Sequence, residues 1–408
     1  MPGLKTLAVV VSVEGGARWE PKARSGWSHL LEHMVFKGAG DMSAREIVER
    51  VEAEGGSINA ATGYERTSFE VRGLAGSLPL AMQVISDLLF RPTLDPGDIE
   101  REKDVVGQEI AEAFDTPDDH VFEMAQTRAF QGQALGRPIL GSVASLKPAD
   151  RASMADWRAQ LYAPDRMAVA VSGAVDEDEL LALAERWFGA EVSTPAQRPA
   201  PARFTGGAAR LGRRIEQANL VLALPGLGAT DPGLPALRLM TEILGGGMAS
   251  RLFQSAREDR GLAYAIDAWH EPYADIGVLG IYAGCAADRA EELARVCADE
   301  LRTLAETGPT EAELARARNV LTASLWMSDE SPMSRAGRAA AQTLIHGRPV
   351  SSQALAEAMT VVDREAVRAA AAAVLAPGLA ATAVLGPRAA GGAGDVFGRT
   401  LFPGAGDR

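Results

Sequence analysis

Residues Gly26–Gly38 read GWSHLLEHMVFKG, and two of the chain's five histidines fall inside it, in His29-Leu30-Leu31-Glu32-His33. The apolar neighbours Leu30, Leu31, Met34, Val35 and Phe36 predict a short buried helix. Positions i and i+4 of a helix lie one turn apart on one face, so two imidazoles spaced this way can bind one Zn2+. Glu32, three residues after His29, flanks that face without having to be a ligand. A carboxylate beside a metal can take the proton of a water whose pKa the metal has lowered. A lone histidine reads more often as a satisfied core residue. Two at ligand spacing around a glutamate, in a chain this poor in histidine, point to a metal.

A catalytic zinc usually takes three protein ligands and keeps one position open. The predicted helix Ile99–Phe114 supplies candidates: Glu100, Glu102, Asp104, Glu109 and Glu112. Glu102 and Glu109 are seven residues apart, nearly two turns, and share a face. Glu109 sits beside the apolar stripe of Val105, Val106 and Ile110, which makes it partly buried and a plausible ligand. Spacing alone leaves the choice open.

The chain has 408 residues, of which 47% are hydrophobic and 23% charged, with a net charge of −13. This mix excludes a disordered chain, a collagen-like rod and a coiled coil. The acidic balance argues against a nucleic-acid partner, which needs a basic face, and permits a basic peptide substrate. No apolar run approaches the roughly 20 residues that span a bilayer, and the start shows no secretory signal. Cys285 and Cys297 read as buried free thiols. The expectation is a cytoplasmic protein with no membrane partner.

Proline, alanine and glycine dominate Ser193–Gly207, which reads as a semi-extended linker. The chain is therefore divided into residues 1–195, a linker at 196–207, and residues 208–408. Strands are expected at Thr6–Val13, Met167–Ser172, Leu220–Leu224, Leu262–Ala268, Gly277–Ala283 and Ala380–Leu385, and a hairpin over Ser57–Leu74. Helices are expected at Ser43–Glu54, capped by Ser43 with Glu46, and at Leu78–Phe90, Asp178–Phe188, Leu234–Leu244, Glu291–Leu304 and Glu311–Trp326. The Gly-rich stretch Gly386–Gly394 reads as separating a short tail. The fold class is α+β, and the similar order of elements in the two halves suggests an internal duplication.

The motif segment resembles the active-site helix of the pitrilysin/insulinase family of zinc peptidases, whose metal motif is HxxEH followed by a distal glutamate. Seventy-five residues lie between His33 and Glu109, and Glu100–Ile110, EREKDVVGQEI, is similar to the family's third-ligand helix. The resemblance implies zinc ligands His29, His33 and Glu109, one ion per chain, with Glu32 as general base and Glu102 as a residue that orients the ligands. Gly55–Glu70 resembles the strand beside the active site, where Asn59 and Ala60 match the positions that hold an extended substrate. Leu244–Ile266 is similar to the family's glycine-rich segment, in which an arginine and a tyrosine act at the zinc site; Arg257 and Tyr264 have that spacing, and Arg260 does not. The implied fold is two related halves, each an antiparallel-rich sheet with helices packed on it, closing like a clam. The pattern is nearest the short bacterial members that resemble the mitochondrial processing peptidase beta subunit.

Family members usually begin with a TLPNG-like strand. Here Met1-Pro2-Gly3-Leu4 looks like the linker after it, so either the start is assigned late or a sheet edge is exposed. The expected activity is zinc endopeptidase on peptides or unfolded, presequence-like segments. The alternative is a non-catalytic subunit of a peptidase heterodimer, although such chains typically lose the metal motif. A thermolysin-like site needs a glutamate directly after the first histidine, where Leu30 stands. The resemblance also implies a homodimer or a pair with a paralogue.

Overall fold

In the computed structural model, which describes residues 1, 3–193 and 196–403, the apolar run near the start forms β1 (Thr6–Glu14). The other principal elements of the first half are α1 (Trp27–Val35), α2 (Ala44–Ala53), β2 (Ser57–Thr62), β3 (Arg66–Leu74), α3 (Leu78–Phe90), α4 (Pro96–Asp115), α5 (Pro117–Ala129), α6 (Arg151–Leu161), β4 (Met167–Gly173) and α7 (Glu177–Phe188). The second half holds β5 (Gly207–Gly212), β6 (Gln217–Gly226), α8 (Leu234–Gly245), β7 (Ala263–Pro272), β8 (Gly277–Ala286), α9 (Ala290–Thr307), α10 (Glu311–Asp329), α11 (Pro332–His346), α12 (Arg364–Leu375), β9 (Ala381–Gly386) and α13 (Ala393–Leu401). Local signals account for many of these. The Ser43 hydroxyl accepts from the Glu46 amide while the Glu46 carboxylate accepts from the Ser43 amide, which closes the expected capping box. The expected hairpin is β2 and β3, paired from Ser57↔Arg72 to Thr62↔Thr67.

The chain divides into two compact units. Unit 1 holds residues 1–111, 137–200 and 326–351. Unit 2 holds residues 112–136, 201–325 and the chain from Ser352 on. The change at 200/201 lies within the expected linker, of which Thr194 and Pro195 are outside the described residues, as is Pro2 near the start. The units are not the contiguous halves that composition suggests. Residues 112–136, with α5, belong to unit 2, and residues 326–351, with α11, belong to unit 1. A composition shift marks where a Pro- and Ala-rich stretch lies and says nothing of which sheet a helix covers. The end of that stretch is not free: the Thr205 amide donates to Ala129 O and the Ala202 amide to Asp275. Nor does Gly386–Gly394 detach a tail. It leads into α13, whose Phe397 and Leu401 are buried in the core of unit 2.

The two units repeat one topology. The sheet of unit 1 runs β2-β3-β1-β4 with every neighbour antiparallel. That of unit 2 runs β7-β8-β6-β9-β5, antiparallel except for the parallel pair β9/β5. Strands β1, β2, β3 and β4 correspond in order and pairing to β6, β7, β8 and β9, and α1 occupies the place in the chain that α8 has in unit 2.

Alternation along β1 explains its continuous apolar run. Leu7, Val9, Val11 and Val13 face the main core with α1 and α3, while Ala8 and Val10 face Ala336 and Ala340 of α11. In unit 2, Leu220, Leu222 and Leu224 of β6 join the main core, and Val221 lies with Val121 and Ala125 of α5. Cys285 on β8 and Cys297 on α9 are free thiols buried in that core.

The small side chains between β1 and α11 let helix and sheet approach closely. Ala340 is 0% exposed, so Ala340→Leu forces extra methylenes into a filled space, a change that costs about 1–3 kcal/mol. The expected outcome is a lower denaturation midpoint at an unchanged m-value. A midpoint equal to that of the parent chain would show that this contact has slack.

Candidate metal centre

Helix α1 is buried on most of its surface. Trp27, Ser28, Leu30, Leu31, Met34 and Val35 are all buried, and the stripe they leave is His29, Glu32 and His33. Its start is locked by close backbone contacts. Gly26 has φ +89°, and a Cβ there would lie 2.5 Å from the Leu140 carbonyl oxygen. Trp27 Nε1 donates to the Ser145 carbonyl at 2.8 Å, and the Ser145 hydroxyl donates to the Ser25 carbonyl at 2.7 Å.

Helix α4 faces the open stripe. Ile99, Glu102 and Val106 are its buried positions, and Glu109 continues that row one turn on. The Glu109 carboxylate lies 3.7 Å from His29 Nε2 and 3.6 Å from His33 Nε2. The ligand atoms of His29, His33 and Glu109 all lie within 4.8 Å of one another, the one such group of three among the described residues. Zinc bonds of about 2.0–2.1 Å in tetrahedral geometry place ligand atoms about 3.3 Å apart. The cluster is therefore close to the size the ion needs.

The donor chemistry fits as well. Burial, and then the neighbouring His33, lower the His29 pKa to about 4, so its ring is neutral at neutral pH, as a ligand must be. The His33 ring is oriented from behind by Glu102, whose Oε2 lies 3.0 Å from His33 Nδ1. Lys37 Nζ holds the other Glu102 oxygen at 2.7 Å. Burial works to raise the Glu102 pKa, and the bonds from Lys37 and His33 outweigh it, leaving the carboxyl below its ordinary value. Glu32 keeps a buried Oε2 with no hydrogen-bond partner among the described residues. Behind it lies Tyr162, buried against Phe69, its phenol pKa raised by burial and by the Glu32 charge.

Glu32 and His33 also line a cavity of about 370 Å3 with Phe36, Ile58 and Asn59. Asn59 stands on β2, the edge strand of the sheet. Ala60 is 8% exposed, so only its backbone is offered at that edge. Unit 1 thus gathers His29, Glu32, His33, Glu102 and Glu109, with Asn59 lining the adjoining cavity. Arg257 and Tyr264 belong to unit 2. Arg257 lies in a π-helical turn with its guanidinium 4.8 Å from the centre of the Phe253 ring. Tyr264, on β7, is 65% exposed. Sequence reasoning missed Lys37 and Tyr162. Lys37 had a signal, standing four residues after His33. Tyr162 had none.

The sequence model of the insulinase family (peptidase family M16) matches residues 2–143, and that of the peptidase M16 inactive domain matches residues 148–321. A protein of Mycobacterium tuberculosis named as an uncharacterized zinc protease is 35% identical over 393 residues, which span 95% of this chain and 90% of that protein. One of Bacillus subtilis, similarly named, is 33% identical over 367 residues, 90% of each. In fold, the chain is similar to a protease from Helicobacter pylori, with a TM-score of 0.88 at 20% identity over 94% of this chain and 95% of that one. It is also similar to a peptidase M16 inactive domain from Pseudomonas fluorescens, with a TM-score of 0.86 at 21% identity over 94% of each chain.

The two carboxylates of α4 make separable predictions. With His29, His33 and Glu109 taken as the ligand set, Glu109→Gln removes its one carboxylate and is expected to weaken zinc retention strongly when measured by competition with a chelator. Glu102→Gln leaves those three side chains in place and is expected to weaken it less, by about 10–100-fold. The reverse order would exchange the two assignments.

Proposed function

The chain belongs to the insulinase family of peptidases, family M16, and on that premise we propose that it is a zinc-dependent endopeptidase acting on extended or unfolded peptide segments. One observation carries the reading: the Glu109 carboxylate meets the outer nitrogens of both motif histidines, with Glu32 on the same face. A bound zinc ion supplies Lewis acidity toward a water and toward a carbonyl oxygen. Glu32 accepts the proton of the attacking water as its oxygen bonds to the carbonyl carbon, and delivers it to the amine as the C–N bond breaks. Glu102 keeps the His33 ring in one orientation throughout, and Lys37 keeps Glu102 ionised.

The edge strand β2 supports an extended substrate. Its outer backbone groups have no neighbour in the sheet, and a peptide lying along them would add a strand beside Glu32. A folded segment cannot present its backbone in this way, which favours unfolded substrates. The cavity wall of Phe36, Val48, Val51 and Ile58 would receive a side chain of that strand. Arg257 and Tyr264 enter the proposal on their motif alone, as donors to the oxyanion of the tetrahedral intermediate.

Glu32→Gln is expected to abolish hydrolysis of a quenched fluorescent peptide while zinc content stays at one per chain. Loss of zinc in that variant would make Glu32 a ligand and overturn its role as base. Tyr264→Phe keeps the ring and removes the hydroxyl. Turnover is expected to fall on the order of 10²–10³-fold with zinc content unchanged, as for the loss of one oxyanion donor. Wild-type turnover at full zinc occupancy would reduce Tyr264 to a surface residue.

A further inference from the structure

The two histidines of the motif are held in different ways. His33 has its inner nitrogen fixed by Glu102. His29 Nδ1 is buried and has no hydrogen-bond partner among the described residues. The place of the His29 ring is therefore set by packing and by the backbone that carries it, the first turn of α1.

That turn has an unusual cap. The N-cap residue is Gly26, which has no side chain to accept from the free amides of the turn. Glu20, six residues upstream, does so instead. Its Oε2 accepts from the Gly26 amide at 2.8 Å and its Oε1 from the Ser28 amide at 2.7 Å. Both oxygens of one carboxylate thus grip the backbone immediately before His29. Glu20 is 3% exposed, and the Arg137 guanidinium donates to its backbone carbonyl. Burial pushes the carboxyl up to about 7, against the pull of the Ser28 and Gly26 amides and the Arg137 charge, so the arrangement is held at a cost.

We propose that Glu20 is a positioning residue of the metal centre: by clamping the Gly26 and Ser28 amides it fixes His29 through the backbone, as Glu102 fixes His33 through the ring. Glu20 touches neither substrate nor ligand atoms. The inference rests on the reading of His29, His33 and Glu109 as the zinc site. It assigns to Glu20 the tuning of metal affinity and turnover rather than stability alone. A residue that only stabilised the fold would affect melting and leave the affinity of the folded site unchanged.

The test uses the full chain with Glu20→Gln, Glu20→Asp and, as a control that loses stability elsewhere in unit 1, Ala340→Leu. Glu20→Gln is nearly isosteric but turns an NH2 group toward one of the amides. Zinc affinity is measured by chelator competition under conditions where circular dichroism shows each variant folded, and the site is probed by the absorption bands of bound Co2+. Glu20→Gln is expected to bind zinc about 10–100-fold more weakly and to shift the Co2+ bands. Its kcat at saturating zinc should fall with KM little changed. Glu20→Asp is expected to recover part of the affinity, and Ala340→Leu to match the parent chain in all three. Parent-like affinity and spectrum in Glu20→Gln would overturn the proposal, as would an equal loss in Ala340→Leu. If the parent chain bound zinc no better than Glu109→Gln, the reading of the site would fail first, and this inference with it.

Discussion

A helix of nine residues is too short to persist in water by itself, so the shape of α1 comes from what surrounds it. Six of its residues are buried, and the turn before it is pressed against the backbone of residues 140–145. That burial has two consequences. It leaves one stripe, made of His29, Glu32 and His33, and it makes that stripe rigid. Every polar group placed opposite then has a fixed target. For a candidate cluster whose ligand atoms lie within 4.8 Å of one another such rigidity matters, because a shift of an ångström at one side chain would open it.

The charges around this stripe follow from its burial. Glu102 and Glu109 both meet His33, Glu32 lines one cavity with Glu102, and Lys37, bound to Glu102, is the cation among the described ion pairs of the site. Paired with His33 and Lys37, Glu102 is the most deeply buried of them and has a depressed pKa. Glu109, the most exposed of the ligand group at 37%, stands where solvent can still reach it. The remaining negative charge is concentrated where the outer nitrogens of two imidazoles converge on the Glu109 carboxylate. This is the environment a divalent cation compensates.

Unit 2 repeats the strand order of unit 1 and, among the described residues, holds no group of metal-ligating side chains. Its α8 occupies the place that α1 has in unit 1, and among the described residues it contributes to no group that could hold a metal. The family model that matches residues 148–321, most of which lie in unit 2, is described as an inactive domain. In each unit the sheet has a second face to bury, and in each a helix from the other half of the chain covers it: α11 through Ala336 and Ala340, α5 through Val121 and Ala125. The alanine- and valine-rich faces of β1 and β6 read as continuous apolar runs for this reason.

Much of this was legible in the residues themselves. The i, i+4 histidines, the Ser43 capping box and the apolar run of β1 are local patterns, fixed by the geometry of helix and strand, and the structure contains all of them. The resemblance to zinc peptidases rested on several such short segments spread along the chain, from Gly26–Gly38 to Leu244–Ile266. Other features depended on packing. Glu102 and Glu109 share one face of α4, and nothing in their spacing says which meets an outer and which an inner ring nitrogen. The structure assigns Glu109 to both outer nitrogens and Glu102 to the inner nitrogen of His33, across 69 positions of sequence. The exchange of α5 and α11 between sheets, the hold of Glu20 on the first turn of α1 and the place of Tyr162 behind Glu32 were equally hidden. A sequence records which face of an element is apolar. Which partner that face meets is decided when distant segments are buried together, because burial is the same free energy whichever apolar surface supplies it.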